Sequence, residues 1–460
     1  MASLTSSFRA FRAIRLLFCL LLLKAGAARA SSWVLDWNES ALEAMRQSGM
    51  LSPEIARDMA MLQTAIYNAV EGIAGDHEIF ASGAYLGPSG TAPAGASMEA
   101  ATAAAAFTIL QSLHPGFVGD FATLYTTQLS GIAEGAAKTD GINFGTLVAN
   151  DILNWRALDG AADASDPGLY TPVGTIGHWQ PTPPGTGALP GWGNVTTFGI
   201  SGTAGFTTSL PGPTREDYLA TGQYAADYQQ VLDLGGLTSL ARTADQLDAA
   251  FFWSGADGTV TVAGMWNQIA QTVAASEGMS LQDTARLFAA LNVALADAAI
   301  VAWETKYNVD FWDPLSAIVN GDFDGNGATL GDEFWSPLLG LDSLAPSYFS
   351  DHSALSAAAA AVLASFFGDA HAFSLDSDTD GNGTFDMTRL FSSFSGAAEE
   401  AGMSQIWGGM SYETGHLDAL DSGSAVGNDV MGSYFAPVPE PSGLALVILG
   451  AALLSRRRRA

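Results

Sequence analysis

The chain has 460 residues, of which 48% are hydrophobic and 10% aromatic, so it can bury a large core and wholesale disorder is excluded. It carries 18 Lys and Arg against 47 Asp and Glu, a formal net charge of −29 at pH 7. A surface this acidic repels phosphate backbones, which argues against nucleic acid as a partner. The single cysteine, Cys19, lies in the leading segment, so the body of the chain has no disulfide and no thiol chemistry.

Residues 1–30 have the pattern of a secretory signal peptide. Three arginines precede the apolar run Leu16–Leu23, and Ala28-Arg29-Ala30 has the small-x-small form of a cleavage site. An uncleaved membrane anchor is the alternative, but the apolar run is short for a full span. We therefore expect the chain to engage the export machinery and to lose this segment.

Alanine-rich segments with apolar residues at helical spacing predict a mainly α fold, a single large helical-bundle domain over residues 31–437. The predicted helices are Pro53–Ile73, Ser97–Leu113, Phe144–Leu158, Ala244–Phe252, Leu281–Trp303, Ala354–Phe367 and Leu390–Ala401. Residues 159–215 are rich in Gly, Pro and Thr and include Trp179 and Trp192, which indicates a long irregular excursion that is nevertheless packed. No sustained period-two alternation is present.

Residues 438–460 combine Pro439-Glu440-Pro441, an apolar segment of about a dozen residues and four arginines. This arrangement resembles the PEP-CTERM sorting signal of Gram-negative bacteria. The resemblance implies transient anchoring in the inner membrane, removal of the tail by an exosortase, and release to the envelope exterior or extracellular matrix. A plain C-terminal anchor is the alternative, but it leaves the Pro-Glu-Pro triplet unexplained.

Several segments of the body, taken in order, resemble the vanadium-dependent haloperoxidase and type 2 phosphatidic acid phosphatase (PAP2) superfamily, in particular its secreted bacterial branch. The segments are Trp37–Leu42, Ala65–Val70, His178–Pro184, Pro190–Val195, Arg242–Gln246 and Ala296–Ile300. The resemblance implies a helical fold with an oxyanion pocket. In that family a lysine and two arginines neutralise phosphate or vanadate, a middle histidine acts as acid and base, and a last histidine is nucleophile or vanadium ligand.

The three family motifs are degenerate in this chain. Where the motifs are retained, Lys306, Ser350 and His352 match the family's lysine, serine and middle histidine. Where they depart, Asp313 and Gln405 replace the two arginines, Asp351 replaces a glycine, and Ser411 replaces the last histidine. A register shift that presents His416 instead is the alternative, which the Trp407-Gly408-Gly409 block argues against.

These departures remove two cations and add two carboxylates. One charge pair at ~4 Å is worth about 4 kcal/mol at an effective dielectric constant near 20, so anion affinity should fall steeply. Asp351 is expected to cap the following helix and to occupy its anion-binding end. Lys306 is expected to form a salt bridge with Asp313 or Asp351. The sequence therefore argues against vanadate as a cofactor, and His416 with Asp418 is interpreted as a solvated pair.

Two Asp-rich loops suggest calcium as a cofactor. Asp322, Asp324, Asn326 and Glu333 fit the spacing of an EF-hand loop, with Gly327 at its turn, although a purely structural turn is the alternative. Asp376, Asp378 and Asp380 begin a second such loop, which lacks a glutamate at position twelve.

Three functions remain open from the sequence. The favoured hypothesis is an exported protein with a decayed oxyanion site and a non-catalytic role at the envelope or matrix. The second is an active haloperoxidase or acid phosphatase that uses Lys306 and His352. The third is a new metal site, with Asp310, Asp313, Asp351 and His352 converging as hard ligands.

Overall fold

Helices dominate the computed structural model, which describes residues 32–181, 186–340 and 344–439. The helices are α1 (residues 32–47), α2 (Ser52–Ala74), α3 (Met98–Leu113), α4 (Val118–Ser130), α5 (Ala136–Arg156), α6 (Arg215–Leu219), α7 (Gly222–Gly235), α8 (Ala244–Phe252), α9 (Thr261–Glu277), α10 (Leu281–Val309), α11 (Pro314–Val319), α12 (Asp351–Phe367), α13 (Phe394–Trp407) and α14 (Glu413–Ser433). The mainly α fold is therefore confirmed. The predicted signal peptide, the C-terminal segment from Glu440 onward, and Pro183 and Pro184 lie outside the described residues.

Helix α10 forms the centre of the bundle. It packs against α2 on one side and against α12 and α14 on another, and α12 in turn packs against α13 and α14. By length and hydropathy α10 could cross a membrane, but 94% of its most apolar window is buried inside the protein. A helix buried in this way is the core helix of a globular bundle, because its apolar side chains are already covered.

Small residues allow the bundle to pack closely. A Cβ on Gly423 in α14 would collide with the backbone carbonyl of Ala354 in α12, and a Cβ on Gly145 in α5 would collide with the carbonyl of Ala101 in α3. Alanine is the most frequent residue of α12, whose sequence contains a run of five alanines. Short side chains bring the helix axes together, so the start of α12 is held firmly against α14.

A two-stranded antiparallel sheet lies between α12 and α13, where the sequence predicted no strand. Strand β1 (Phe373–Ser377) pairs with β2 (Met387–Phe391), with Leu375 opposite Arg389. The predicted helix Leu390–Ala401 is wrong at its start, because Leu390 lies in β2 and the helix begins at Phe394. The alternation of β1 is only five residues long, and its side chains are alternately buried and exposed.

The irregular excursion is packed, as predicted. Trp179 is fully buried and Trp192 is 3% exposed, and short 3₁₀ turns such as Trp192–Asn194 connect its irregular parts. Asp297 of α10 accepts hydrogen bonds from the backbone N–H groups of Phe198, Gly199 and Ile200 at 2.6–2.9 Å. Burial raises the pKa of Asp297 to about 6, although these N–H groups oppose the shift. This buried carboxylate fastens the excursion to the central helix.

Candidate functional site

Lys306 lies in the last turn of α10, and its ammonium group faces a pocket of about 700 Å³. The helix ends just after it, because Asp310 adopts the left-handed conformation at φ 53° and its N–H donates to the carbonyl of Lys306 at 2.8 Å. The ammonium Nζ donates to the carbonyl oxygen of Pro346 at 3.2 Å and lies 3.0 Å from Asp351 Oδ1. The salt bridge to Asp351 predicted as one of two alternatives is confirmed.

The beginning of α12 supplies the next three motif positions. Ser350 caps the helix, because its Oγ accepts a hydrogen bond from the N–H of Ser353 at 3.3 Å, so the expectation that Asp351 is the cap is wrong. Asp351 is the first helical residue and His352 the second. His352 Nδ1 lies 3.3 Å from Asp351 Oδ2, and its Nε2 lies 3.0 Å from the carbonyl oxygen of Trp253. Both ring nitrogens of His352 therefore have partners within the protein.

Lys306 and His352 both contact the carboxylate of Asp351. Burial alone would raise the pKa of Asp351, but the ammonium of Lys306 and the imidazole of His352 outweigh burial and hold that pKa well below its usual value. Asp351 is therefore ionised at any physiological pH. Its carboxylate takes the place that an external anion would need beside Lys306.

The remaining wall of the pocket comes from α13 and the turn that follows it. Gln405 is 8% exposed, and its Nε2 donates to Ser404 Oγ at 3.3 Å. Ser411 is 4% exposed, and its buried Oγ has no hydrogen-bond partner among the described residues. The polar lining of the pocket includes Lys306, Ser350, Asp351, His352, Gln405, Ser411 and a second carboxylate, Asp257, and its apolar lining includes Leu51, Phe251, Trp303, Leu338, Leu339 and Leu344. The orphaned hydroxyl of Ser411 indicates room for a polar guest.

Asp313 alone of the seven motif residues does not line this pocket. Its carboxylate caps α11, accepting from the N–H of Ser316 at 2.8 Å and from the hydroxyl of Ser316 at 3.1 Å. Burial raises the pKa of Asp313, and the hydrogen bonds from Ser316 oppose that rise. The position that corresponds to the motif's first arginine therefore gives the pocket no positive charge, and its aspartate stabilises the start of α11 instead.

The proposed convergence of Asp310, Asp313, Asp351 and His352 on a metal ion is wrong. Asp310 accepts hydrogen bonds from Tyr170 Oη at 2.6 Å and lies 2.6 Å from His178 Nδ1, in a network with Arg215. Within the described residues, no group of three or more His, Cys, Asp or Glu side chains is arranged to hold a metal ion.

The calcium prediction is wrong for the first loop, because its side chains are used by the loop itself. Asp324 accepts from the N–H of Asn326 at 2.8 Å and from the hydroxyl of Thr329 at 2.6 Å. The amide of Asn326 donates to the carbonyl of Leu219 at 2.8 Å, while Glu333 is exposed. These hydrogen bonds stabilise a turn, so the loop is the structural turn given as the alternative to a calcium site.

The second loop likewise offers no calcium site. Asp378 accepts from the backbone N–H groups of Asn382 and Gly383 at 3.1 and 2.7 Å, and Asp380 accepts from the side chain of Asn382 at 2.9 Å. Asp376 lies in β1 and accepts from Thr388 at 2.6 Å. The loop is the connection of the β-hairpin, and its carboxylates are the hydrogen-bond acceptors that shape the turn.

The interpretation of His416 as part of a solvated pair is wrong. His416 is completely buried in α14 rather than solvated with Asp418, and its Nδ1 lies 2.8 Å from Ser353 Oγ. Its Nε2 lies 3.4 Å from Glu399 Oε1. Burial lowers the pKa of His416, and Glu399 opposes this shift. The spacing Ser350-x-x-Ser353 at a helix start was the available signal, because it places two hydroxyls on one face.

Known proteins match the C-terminal third of the chain in sequence and most of the described chain in fold. The VCPO second helical-bundle domain matches residues 286–438, which include every motif residue. Vanadium chloroperoxidase from Curvularia inaequalis is 29% identical over 163 residues, which are 32% of this chain and 26% of that protein. The match thus spans about a quarter of the relative's length.

Solved structures extend the likeness to most of the chain. A bacterial vanadium-dependent iodoperoxidase has a TM-score of 0.75 at 24% identity, with 89% of this chain and 98% of that chain covered. A bacterial vanadium-dependent chloroperoxidase in its holo form has a TM-score of 0.63 at 16% identity, covering 84% and 93%. The fold is that of the vanadium haloperoxidases. In sequence, the likeness to this family covers residues 286–438.

The prediction that vanadate is unlikely as a cofactor is wrong. The curated relative and both structural relatives are vanadium enzymes, so the comparisons keep vanadate as a candidate. The hydrogen-bonding groups of the pocket also fit an oxyanion, since Lys306, Ser350, Gln405 and Ser411 all carry donors and the Ser411 hydroxyl is unpartnered. The carboxylate of Asp351, 3.0 Å from Lys306, opposes an anion there, and the exposed Asp257 at the pocket wall adds a second negative charge.

Proposed function

We propose that this protein is an exported haloperoxidase-like protein whose oxyanion site is weakened by its own carboxylate. The observation that supports this proposal is the 3.0 Å contact between Lys306 Nζ and Asp351 Oδ1. An incoming anion must displace or share that carboxylate, and Gln405 and Ser411 offer no positive charge in return. At ~4 Å, one unit charge contributes about 4 kcal/mol at an effective dielectric constant near 20, a large handicap for a multiply charged guest.

Vanadate remains a candidate cofactor under this proposal. Lys306, Ser350, Gln405, Ser411 and His352 are the side chains that would hold it. When bound, vanadate would supply the centre that activates peroxide. The contribution of the protein's side chains is limited by contacts that they already make. Lys306 could donate to the anion only while it also contacts Asp351. His352 would first have to break its contact with Trp253 or with Asp351. We expect slow or absent halide oxidation and phosphate ester hydrolysis.

An active haloperoxidase or acid phosphatase is the second candidate function. It is favoured by the names of the relatives and by the position of Lys306 and His352 in the same pocket. In this alternative His352 would exchange protons with the substrate after its contact with Trp253 is broken. The two candidates differ in the rate that the unmodified protein should show.

Activity assays with vanadate separate the two candidates. The mature chain would be incubated with vanadate and assayed for bromide and iodide oxidation by peroxide, and without vanadate for p-nitrophenyl phosphate hydrolysis. The weakened-site proposal predicts little turnover by the unmodified protein and a gain of tenfold or more in Asp351→Gly. Rapid turnover that is abolished in His352→Ala and not improved in Asp351→Gly would contradict it and support the second candidate.

Export and sorting to the envelope form a separate part of the proposal. They are supported by the sequence pattern of residues 1–30 and of residues 438–460. In a Gram-negative host with an exosortase, N-terminal sequencing and mass analysis of the exported protein should give a chain that begins near Ser31 and lacks the arginine tail. A full-length chain retained in the cytoplasm would contradict export, and an intact tail in the membrane would indicate a plain anchor.

A further inference from the structure

A continuous chain of side chains runs from the pocket into the bundle beneath it. Ser350 Oγ, which lines the pocket, lies 2.8 Å from Ser353 Oγ, and Ser353 Oγ lies 2.8 Å from His416 Nδ1. The other ring nitrogen of His416 lies 3.4 Å from a carboxylate oxygen of Glu399. The order is hydroxyl, hydroxyl, imidazole and carboxylate, which is the order of groups in a nucleophile activated by an oriented base.

We propose that Ser350 is the nucleophile of a serine-type ester hydrolase site in this pocket, with Ser353 passing its proton to His416. The proposal does not rest on the weakened oxyanion site, because neither Lys306 nor vanadate takes part in it. It also gives a role to the buried histidine, which no oxyanion chemistry of the pocket uses. The base reaches the pocket only through the two serine hydroxyls.

His416 is suited to act as the base. It is fully buried, and burial lowers its pKa, so the ring is neutral near pH 7 and has a lone pair to accept a proton. Glu399 beside Nε2 favours the tautomer with a hydrogen on Nε2 and the lone pair on Nδ1, facing Ser353. Ser353 donates to Ser350 in the described geometry, and rotation of the two hydroxyl hydrogens gives the direction needed for deprotonation.

The surroundings of Ser350 can stabilise an oxyanion of a neutral substrate. The hydroxyl of Ser411 is buried without a partner and lines the same pocket, and Gln405 contributes a side-chain amide. Hydrogen-bond donors of this kind stabilise the negative charge that develops on a carbonyl oxygen. The pocket is also lined by Phe251, Trp303 and Leu339. The favoured substrate is therefore a carboxylic ester with a short apolar acyl group, which carries no charge to be repelled by Asp351.

The reaction balances with water as the only co-substrate. Ser350 Oγ forms a bond to the acyl carbon while its proton moves to Ser353 Oγ and the proton of Ser353 moves to His416 Nδ1. The ester C–O bond then breaks, and the leaving oxygen takes a proton directly from Ser353 Oγ, which regains one from His416 Nδ1, because the acylated Ser350 can no longer relay a proton. Water then attacks the acyl carbon while Ser353 Oγ accepts a proton from it and passes its own to His416. The bond to Ser350 Oγ breaks, Ser350 regains a proton through Ser353, and the carboxylic acid is released.

Covalent labelling and ester hydrolysis test this proposal. The mature protein would be treated with an alkyl fluorophosphonate probe, the modified residue identified by peptide mass spectrometry, and p-nitrophenyl butyrate hydrolysis measured in parallel. We expect label on Ser350 and none in Ser350→Ala. In Ser353→Ala and His416→Gln, labelling and hydrolysis should fall about 100-fold or more, as for loss of a general base. Ser365→Ala, on the exposed face of α12, is the matched control and should behave like the unmodified protein.

The pH profile adds a readout that a structural role would not change. Glu399 of α13 and Glu413 of α14 are the charged groups that act on His416, and burial outweighs both. The hydrolysis rate should rise with pH, and the midpoint of this rise should lie below the ordinary histidine pKa of about 6.5. Failure of Ser350 to react in the folded protein would overturn the proposal, as would unchanged rates in Ser353→Ala. If His416→Gln does not fold, Ser353→Ala decides. Vanadate binding can succeed or fail independently of these outcomes.

Discussion

Lys306 Nζ and Asp351 Oδ1 lie 3.0 Å apart, so the cation of the family's first motif is already paired with a carboxylate of the chain itself. The partner occupies the position where the family has a glycine, at the first residue of α12. The pocket contains the hydrogen-bond donors Ser350, Gln405 and Ser411, while Asp351 places a negative charge beside its lysine.

Removal of the Asp351 charge should strengthen anion binding. Asp351→Asn frees Lys306 and removes the repulsion between the carboxylate and a bound anion. At ~4 Å that repulsion is about 4 kcal/mol per pair of unit charges, so the affinity for vanadate or phosphate should rise at least tenfold. Isothermal titration calorimetry at pH 7 measures the change. Asp313→Asn is the matched control, because that carboxylate caps α11 and does not line the pocket. Equal gains in the two variants would contradict the assignment of Asp351 as the competing anion.

The Lys306–Asp351 pair should also stabilise the fold in a pH-dependent way. The pKa of Asp351 is lowered in the folded state, so its contribution is present above the unfolded-state pKa near 4 and is lost as the pH falls further. The difference in free energy of unfolding between the unmodified protein and Asp351→Asn should therefore be larger at pH 6.5 than at pH 3. Urea unfolding at the two pH values gives the comparison. A difference of the same size at both would argue against the pair.

Asp313 should act on stability through its cap. Asp313→Ala should lower the free energy of unfolding by about 1 kcal/mol, because the N–H of Ser316 loses its acceptor. Asn is nearly as good as Asp at this helix position, so Asp313→Asn should retain most of the stability. Denaturant unfolding of the three proteins measures both effects. If Asn cost as much as Ala, the charge rather than the cap would be the source of the stability.

His416 should make the free energy of unfolding depend on pH just below pH 6.5, whereas the Asp351 effect appears below about pH 4. Burial lowers the pKa of His416, so the folded state binds its proton less readily than the unfolded chain, whose histidine has a pKa near 6.5. Stability from this source is present above pH 6.5 and is lost as the pH falls below it. The unmodified protein should lose more stability than His416→Gln between pH 7.5 and 5. Equal losses in guanidinium unfolding would contradict the burial of a neutral ring.

Close packing of α14 on α12 can be tested with two glycines of the same helix. Gly423→Ala should destabilise by about 1–3 kcal/mol, because the added methyl group would collide with the carbonyl of Ala354. Gly432 has open space around its Cβ position, so Gly432→Ala should be neutral or stabilise by up to about 1 kcal/mol. Thermal unfolding of both variants gives the result. Similar effects at the two positions would mean that the helices can move apart.

Local pattern determined much of this fold. Helix α8 was predicted with its observed bounds, Ala244–Phe252, because Thr243 and Gln246 form a capping box and the apolar spacing is regular. Seven helices of the described residues were not predicted: 32–47, Val118–Ser130, Arg215–Leu219, Gly222–Gly235, Thr261–Glu277, Pro314–Val319 and Glu413–Ser433. The β-hairpin was missed because five-residue strands carry too little pattern to compete with the neighbouring alanine-rich segments.

The sequence by itself determined which residue types stand at the motif positions. It also determined the loss of positive charge at Asp313 and Gln405, because the charge of a residue type is known without coordinates. Only the tertiary structure decided where each charge acts. Asp313 and Asp351 are the same residue type and are both buried or nearly so, yet one caps a short helix and the other pairs with Lys306. His416 became part of the site only when α14 packed on α12, because electrostatic and hydrogen-bond energies depend on distances that the order of residues does not contain.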